Sequence, residues 1–211
     1  MKDKCYVLAG GESVGNVTQR SLLDGDVIAI NKTIMDFPDS KYFVTMDFTI
    51  TNKINMAKFK DNKKPTKFFI TNFVPEYIKE QEGRILDTRF GLVYDLSPFN
   101  IIVKSKNLQG FGYSWNDFCH GNNSGYCGVQ LAILLGYKEI YLLGFDNIVK
   151  QTHYHGGYGE GQESFEVKLN EYKKNLIQSI VRHKLYGKPN KLFNYSTYSY
   201  LSQVLPYAGV K

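Results

Sequence analysis

The chain has 211 residues, of which 43% are apolar and 22% charged. That balance excludes a disordered chain and fits a soluble globular protein, and the length suits one α/β domain with a substantial core. The net charge of +6 favours an anionic partner such as a nucleotide, a nucleic acid or a charged glycan.

Targeting and redox features add little. No segment approaches the roughly 20 apolar residues of a membrane span. The apolar run in MKDKCYVLAGG is too short for a signal peptide and contains the first expected strand. A cytoplasmic protein is the expectation. Cys5, Cys119 and Cys127 lack metal-ligand spacing, and an odd number does not suggest a disulfide framework. Cys5 and Cys127 fall in an expected strand and helix, as buried thiols. Aromatic residues reach 15%, mostly as core, with the rest free to stack on a base or sugar.

The expected elements alternate between strand and helix. Cys5 to Leu8 reads as a first strand, followed by the glycine-rich turn Gly10-Gly11-Glu12-Ser13. A turn of this kind lets backbone approach a phosphate or ribose, although glycines after strands are also simple turn formers. Val17 to Leu23 fits a short helix. Asp26 to Ile30 is strand two, ending at Asn31, which suits a base or ribose contact or an ordinary turn. Lys41 to Thr45 is strand three, leading to Asp47. Three strands thus each deliver a polar residue at one edge: Ser13, Asn31 and Asp47.

Thr51 to Lys60 fits a helix and Lys67 to Thr71 a fourth strand. The lysines at 58, 60, 63, 64 and 67 surround Pro65, as a solvated loop face or an acceptor-binding patch. Tyr77 to Gln81 reads as a short helical piece. Residues 83–118 read as an irregular insertion against the sheet edge, with Trp115 in the core or lining a ligand pocket.

The most informative stretch is 121–147, GNNSGYCGVQLAILLGYKEIYLLGFDN. A polar loop leads into an apolar helix from Tyr126 that ends at Gly136. A strand from Glu139 to Leu143 then delivers Asp146 to its carboxyl end. Its unbroken apolar run suits a strand covered on both faces. The loop at Ser124 and Gly125 offers free N–H groups and the positive end of a helix dipole, which suits phosphate.

The following segment, residues 147–163, is rich in glycine and reads as a lid-like loop. It carries His153, Tyr154 and His155. The two histidines fit exposed loop residues, a general base or phosphate contact, or part of a metal site. Ser164 to Leu185 shows an apolar stripe at helical spacing and reads as the longest helix, stopped by Gly187-Lys188-Pro189. Leu192 to Tyr195 is a last strand. Asn194, Ser196 and Ser199 follow as edge or turn residues.

The block from Ser124-Gly125 through LGYKEIYLLGFD resembles the matching block of the bacterial lipooligosaccharide sialyltransferases. It is equally similar to a wider Rossmann-like family that includes archaeal 6-hydroxymethylpterin diphosphokinases and many phage proteins. The resemblance implies an α/β fold: a single Rossmann-like domain over 1–211, with a mostly parallel sheet flanked by helices. It implies a nucleotide or nucleotide-sugar donor held by Gly10, Gly11, Ser13, Asn31, Asp47, Ser124, Gly125 and Tyr154. Asp146 matches the family's acid, and His155 or His153 its general base. The resemblance further implies glycosyl transfer with no required cofactor or metal, to a glycan or modified DNA, by a chain that is often oligomeric in that family. Diphosphate transfer to a pterin and non-catalytic nucleotide binding are the other readings. Asn147-Ile148-Val149 stands where the sialyltransferases place tyrosines, with Tyr154 the next tyrosine in the chain, and Asp47 stands where they have an Asn.

Overall fold

The computed structural model describes residues 2–16, 23–47, 50, 54, 56–72, 78–81, 84–87, 92–95, 98–105, 110–146, 162–196 and 198–209. Seven strands form one sheet: β1 (Lys2–Leu8), β2 (Asp26–Ile30), β3 (Tyr42–Thr45), β4 (Thr66–Asn72), β8 (Ile101–Ser105), β9 (Tyr137–Leu143) and β10 (Lys191–Asn194). Their order is β10-β9-β1-β2-β3-β4-β8, and every pairing is parallel. This is the α/β architecture that the sequence implies.

Both-face burial explains the continuous apolar runs. Successive strand residues point to opposite faces, so Val7, Ile28, Ile30, Val44 and Ile70 face one cluster while Leu8, Val27, Ala29, Phe43 and Phe69 face the other side. The first cluster is covered by α2 (Ser124–Leu134) and α3 (Gln162–Leu185), through Tyr126, Cys127, Leu131, Leu176 and Ile180. On the other side, Phe59 of α1 (Met56–Asp61) meets Phe43 edge-on at 5.0 Å. Gly128 is fixed by this packing. A Cβ there would lie 2.8 Å from Ile30 Cδ1 and 2.9 Å from Val7 Cγ1, so α2 rests directly on β1 and β2.

Three expectations give way. Tyr77 to Gln81 is not helical: Ile78–Gln81 is a strand, β5, paired antiparallel with β6 (Arg84–Asp87), which pairs in turn with β7 (Leu92–Asp95). Residues 83–118 are likewise not irregular throughout, since they contain β6, β7 and the edge strand β8. Trp115 is not core either. It is 44% exposed and stacks on Phe68 at 6.1 Å.

Cys5 and Cys127 are buried free thiols, as expected, and burial pushes both far above the usual thiol range. Among the described residues no helix is long and apolar enough to cross a membrane.

Candidate functional site

The chain grows outward from β1 in both directions. β2, β3 and β4 follow on one side, while β9 and β10 lie on the other. Ligands of open α/β sheets bind at the carboxyl ends of strands where the order reverses in this way. That point lies between β1 and β9, and of the polar residues singled out in the sequence Ser13, Asp146, Ser196 and Ser199 converge there.

The centre is a lock between two turns. Ala9 N–H donates to Leu143 O, and Gly11 N–H donates to Gly144 O, both at 2.9 Å. Asp146 then closes the arrangement. One oxygen accepts from the Ser13 N–H at 2.7 Å, and the other from Ser13 Oγ at 2.7 Å and Ser196 Oγ at 2.9 Å. Ser13 Oγ in turn accepts from the Gly144 N–H at 3.0 Å. No larger residue fits at 11, because a Cβ would fall 2.5 Å from Gly144 O and 2.6 Å from Asp146 Oδ2. Gly144 adopts φ +79° and its Cβ would meet Ala9 O at 2.5 Å, so two requirements select glycine there. Asp146 therefore holds the Gly10–Ser13 turn in shape.

Ser196 and Ser199 brace the same segment from the other side. Asn194 clamps Ser196 by accepting its N–H at 3.1 Å and donating to its carbonyl at 2.7 Å. Ser199 Oγ donates to Phe145 O at 2.6 Å. These three act as turn residues that position Asp146.

On the β2–β3 side, Asn31 sits in the left-handed region at φ +54°, which Asn tolerates better than most residues. Thr45 Oγ1 accepts from the Asp47 N–H at 3.0 Å, so its proton goes to Asn31 Oδ1 at 2.7 Å. The Asn31 Nδ2 group is left as a donor at the sheet edge. Asp47 follows at the end of β3. Ser124 Oγ accepts from the Met46 N–H at 3.1 Å and ties α2 to this side.

Helix α2 starts at Ser124, and its cap is Asn123, whose Oδ1 accepts from Tyr126 N–H at 3.1 Å. The N–H groups of Ser124 and Gly125 have no protein acceptor among the described residues, and they form the positive end of the helix at two buried residues. Gly125 has a packing reason as well: a Cβ would lie 2.7 Å from Asn123 Oδ1 and 3.1 Å from Phe145 Cε1.

His153, Tyr154 and His155 lie outside the described residues, as do residues 17–22 of the expected helix from Val17 to Leu23. The other two histidines, not singled out in the sequence, are committed elsewhere. His120, in the loop before α2, accepts from Asn122 N–H through Nδ1 at 3.1 Å, which leaves the proton of the neutral ring on Nε2. His183 accepts from Tyr113 through Nδ1 at 3.2 Å and donates from Nε2 to Asn190 O at 3.1 Å. Burial holds both below the usual imidazole range, with the Lys188 charge adding to the effect at His183. Neither presents a free basic nitrogen at neutral pH. The run His120-Gly121-Asn122-Asn123 was the available signal for this loop, since Gly and Asn suit its left-handed residues at φ +53° and +56°.

These two rings make stability depend on pH. An unfolded histidine near its ordinary value takes up protons that the folded ring resists. Stability is thus fully present above about pH 6.5 and is lost as pH falls from there through the depressed folded values. The melting temperature should drop between pH 7.5 and 5.5, and His120→Gln with His183→Gln should flatten that slope. An unchanged slope in the double variant would assign the pH dependence to other groups.

Among the described residues, no group of three or more His, Cys, Asp or Glu side chains is placed to hold a metal ion. No protein-family model matches the chain, and no curated protein matches it in sequence. Solved structures do match it in shape. The sialyltransferase CST-II with a trisaccharide acceptor and CMP aligns at a TM-score of 0.57 and 18% identity, covering 98% of this chain and 86% of the other. CstII from Campylobacter jejuni with CMP aligns at 0.56 and 19%, covering 98% and 85%. The same enzyme with CMP-3FNeuAc aligns at 0.57 and 16%, covering 99% and 86%. Over nearly its whole length, the chain shares the fold of these sialyltransferases.

Proposed function

We propose that the chain is a glycosyltransferase that uses a nucleotide-sugar donor, with cytidine as the first base to test. The observation that carries this reading is the crevice between β1 and β9. The glycine-rich turn lies there, and the N–H groups of the α2 N-terminus and the Asn31 amide stand along the same sheet edge on the β2–β3 side. Neighbours of the same fold were solved with CMP or a CMP-sugar analogue.

The Gly10–Ser13 turn lets the phosphate approach the backbone, and the Ser124 and Gly125 N–H groups hold it. Asn31 and Asp47 face the ribose and base. His155 or His153 removes the acceptor hydroxyl proton. The acceptor oxygen forms the new bond to the anomeric carbon as the bond from that carbon to the donor phosphate oxygen breaks. The nucleotide monophosphate leaves with the electron pair, and the proton stays on the imidazole. The elimination of His120 and His183 as free bases supports the choice of this pair. The acceptor is a glycan, and no metal is required.

The test is a thermal-shift screen against CMP, UDP, GDP, ADP and their sugar conjugates, with and without Mg²⁺. A native-state ligand at 100 times its Kd adds about 2.7 kcal/mol, which for a chain of this size is roughly 5–10 °C. The expected result is a shift of that order with CMP and CMP-sugars that EDTA does not abolish. A shift confined to ATP with Mg²⁺ would replace this reading with diphosphate transfer, and no shift with any nucleotide would end it.

A further inference from the structure

The run of lysines around Pro65 takes no part in the crevice. It surrounds a separate cleft of about 240 Å³, lined by Lys60, Lys63, Pro65, Lys67, Pro98 and Asn100. These residues lie at the amino ends of β4 and β8, whereas Asp146 lies at the carboxyl end of β9. Among the described residues no acidic side chain lines it.

Lys67 is the unusual member. It is 3% exposed, yet among the described residues it has no carboxylate partner. Its ammonium donates to Phe59 O and Asn62 O, each at 2.7 Å, and lies over the Phe59 ring at 4.6 Å. An ammonium has three N–H groups, and the third has no protein acceptor among the described residues. A buried charge is costly unless it is paired, and the neighbouring Lys63 adds repulsion. Lys63 has no ion pair among the described residues, whereas Lys64 next to it is paired with Asp39. Asn100 completes the wall. Its Oδ1 accepts from Lys67 N–H at 2.8 Å and its own N–H donates to Lys67 O at 2.9 Å. That fixes its amide and leaves Nδ2 as a further donor.

We propose that this cleft is a second anion site that takes a phosphate group, on the opposite edge of the sheet from the Asp146 crevice. Three ammonium groups and an amide donor match the charge and acceptor oxygens of a phosphate. The space is several times the ~30 Å³ that one water occupies, so a phosphate or diphosphate fits. The site does not depend on the reading of the crevice.

The experiment is a ¹⁵N–¹H titration of the whole chain with inorganic pyrophosphate at low salt, alone and with saturating CMP. Saturable shifts at residues 60–67 and 100 are expected, unchanged by CMP. Lys60→Gln with Lys63→Gln, both at exposed positions, should weaken pyrophosphate binding about tenfold or more. Sedimentation with phosphatidate vesicles, lost in the double variant and absent with phosphatidylcholine, would identify the phosphate as a lipid headgroup. Pyrophosphate binding without vesicle binding would identify a soluble phosphate. Shifts confined to residues 10–13 and 124–125, or equal affinity in the double variant, would overturn the proposal.

Discussion

Replacing His153 and His155 together by alanine should lower turnover by about 100- to 10,000-fold, the usual loss when a positioned general base is removed. Burial favours the neutral form of both other histidines, and in each the ring nitrogen that could take a proton already accepts a hydrogen bond, so no imidazole elsewhere in the chain is free to take over. Binding of the donor should be little altered, because the groups assigned to the phosphate lie on the Gly10–Ser13 turn and α2. The single variants then separate the two candidates: one should carry nearly the whole loss. Steady-state rates with the donor found by the thermal screen, paired with calorimetric donor affinity, make the measurement. Full turnover in the double variant would remove the general-base step from the mechanism.

Asp146→Ala should cost about 2–4 kcal/mol of stability and abolish tight nucleotide binding. Three donors, the Ser13 N–H, Ser13 Oγ and Ser196 Oγ, lose a charged acceptor at once, and Ser13 and Ser196 are buried. Hydrogen bonds to charged groups contribute about 1.5–3 kcal/mol each, and a stranded buried donor costs about 1–3. The Gly10–Ser13 turn loses its brace in the same step. Asp146→Asn keeps one acceptor oxygen and should recover part of both effects. Urea denaturation gives the stability and calorimetry the affinity. Wild-type affinity in a folded Asp146→Ala protein would show that the turn holds its shape without the carboxylate.

The sheet was largely legible in the sequence because its strands are buried on both faces. Runs such as VIAI and IYLL have no charged interruption, and β1, β2, β3, β4, β9 and β10 all fall within three residues of their expected bounds. The edge strand β8 was not legible. Ile101 is 40% exposed and the strand is covered less evenly, so IIVKS carries a weaker pattern. β5 is short, and four residues do not distinguish a strand from a turn of helix. In the site, position was legible and partnership was not. Residues just beyond strand ends could be named, which singled out Ser13, Asn31 and Asp146. That Asp146 grips Ser13 from 133 residues away, or that Ser124 faces Met46, depends on the closed sheet. Gly125 carries a second meaning hidden for the same reason, since its constraint is the ring of Phe145.

The place of β1 in the strand order also governs when the crevice comes into being. β2, β3 and β4 are made soon after β1 and lie to one side of it, whereas β9 fills its other side only after more than half the chain has been synthesised. Pairings across such distances are the slow steps of folding. On the ribosome, β1 spends this interval as an unpaired edge with its apolar residues in place, a state open to association with other chains. The edge between β1 and β9 is therefore among the last features to form.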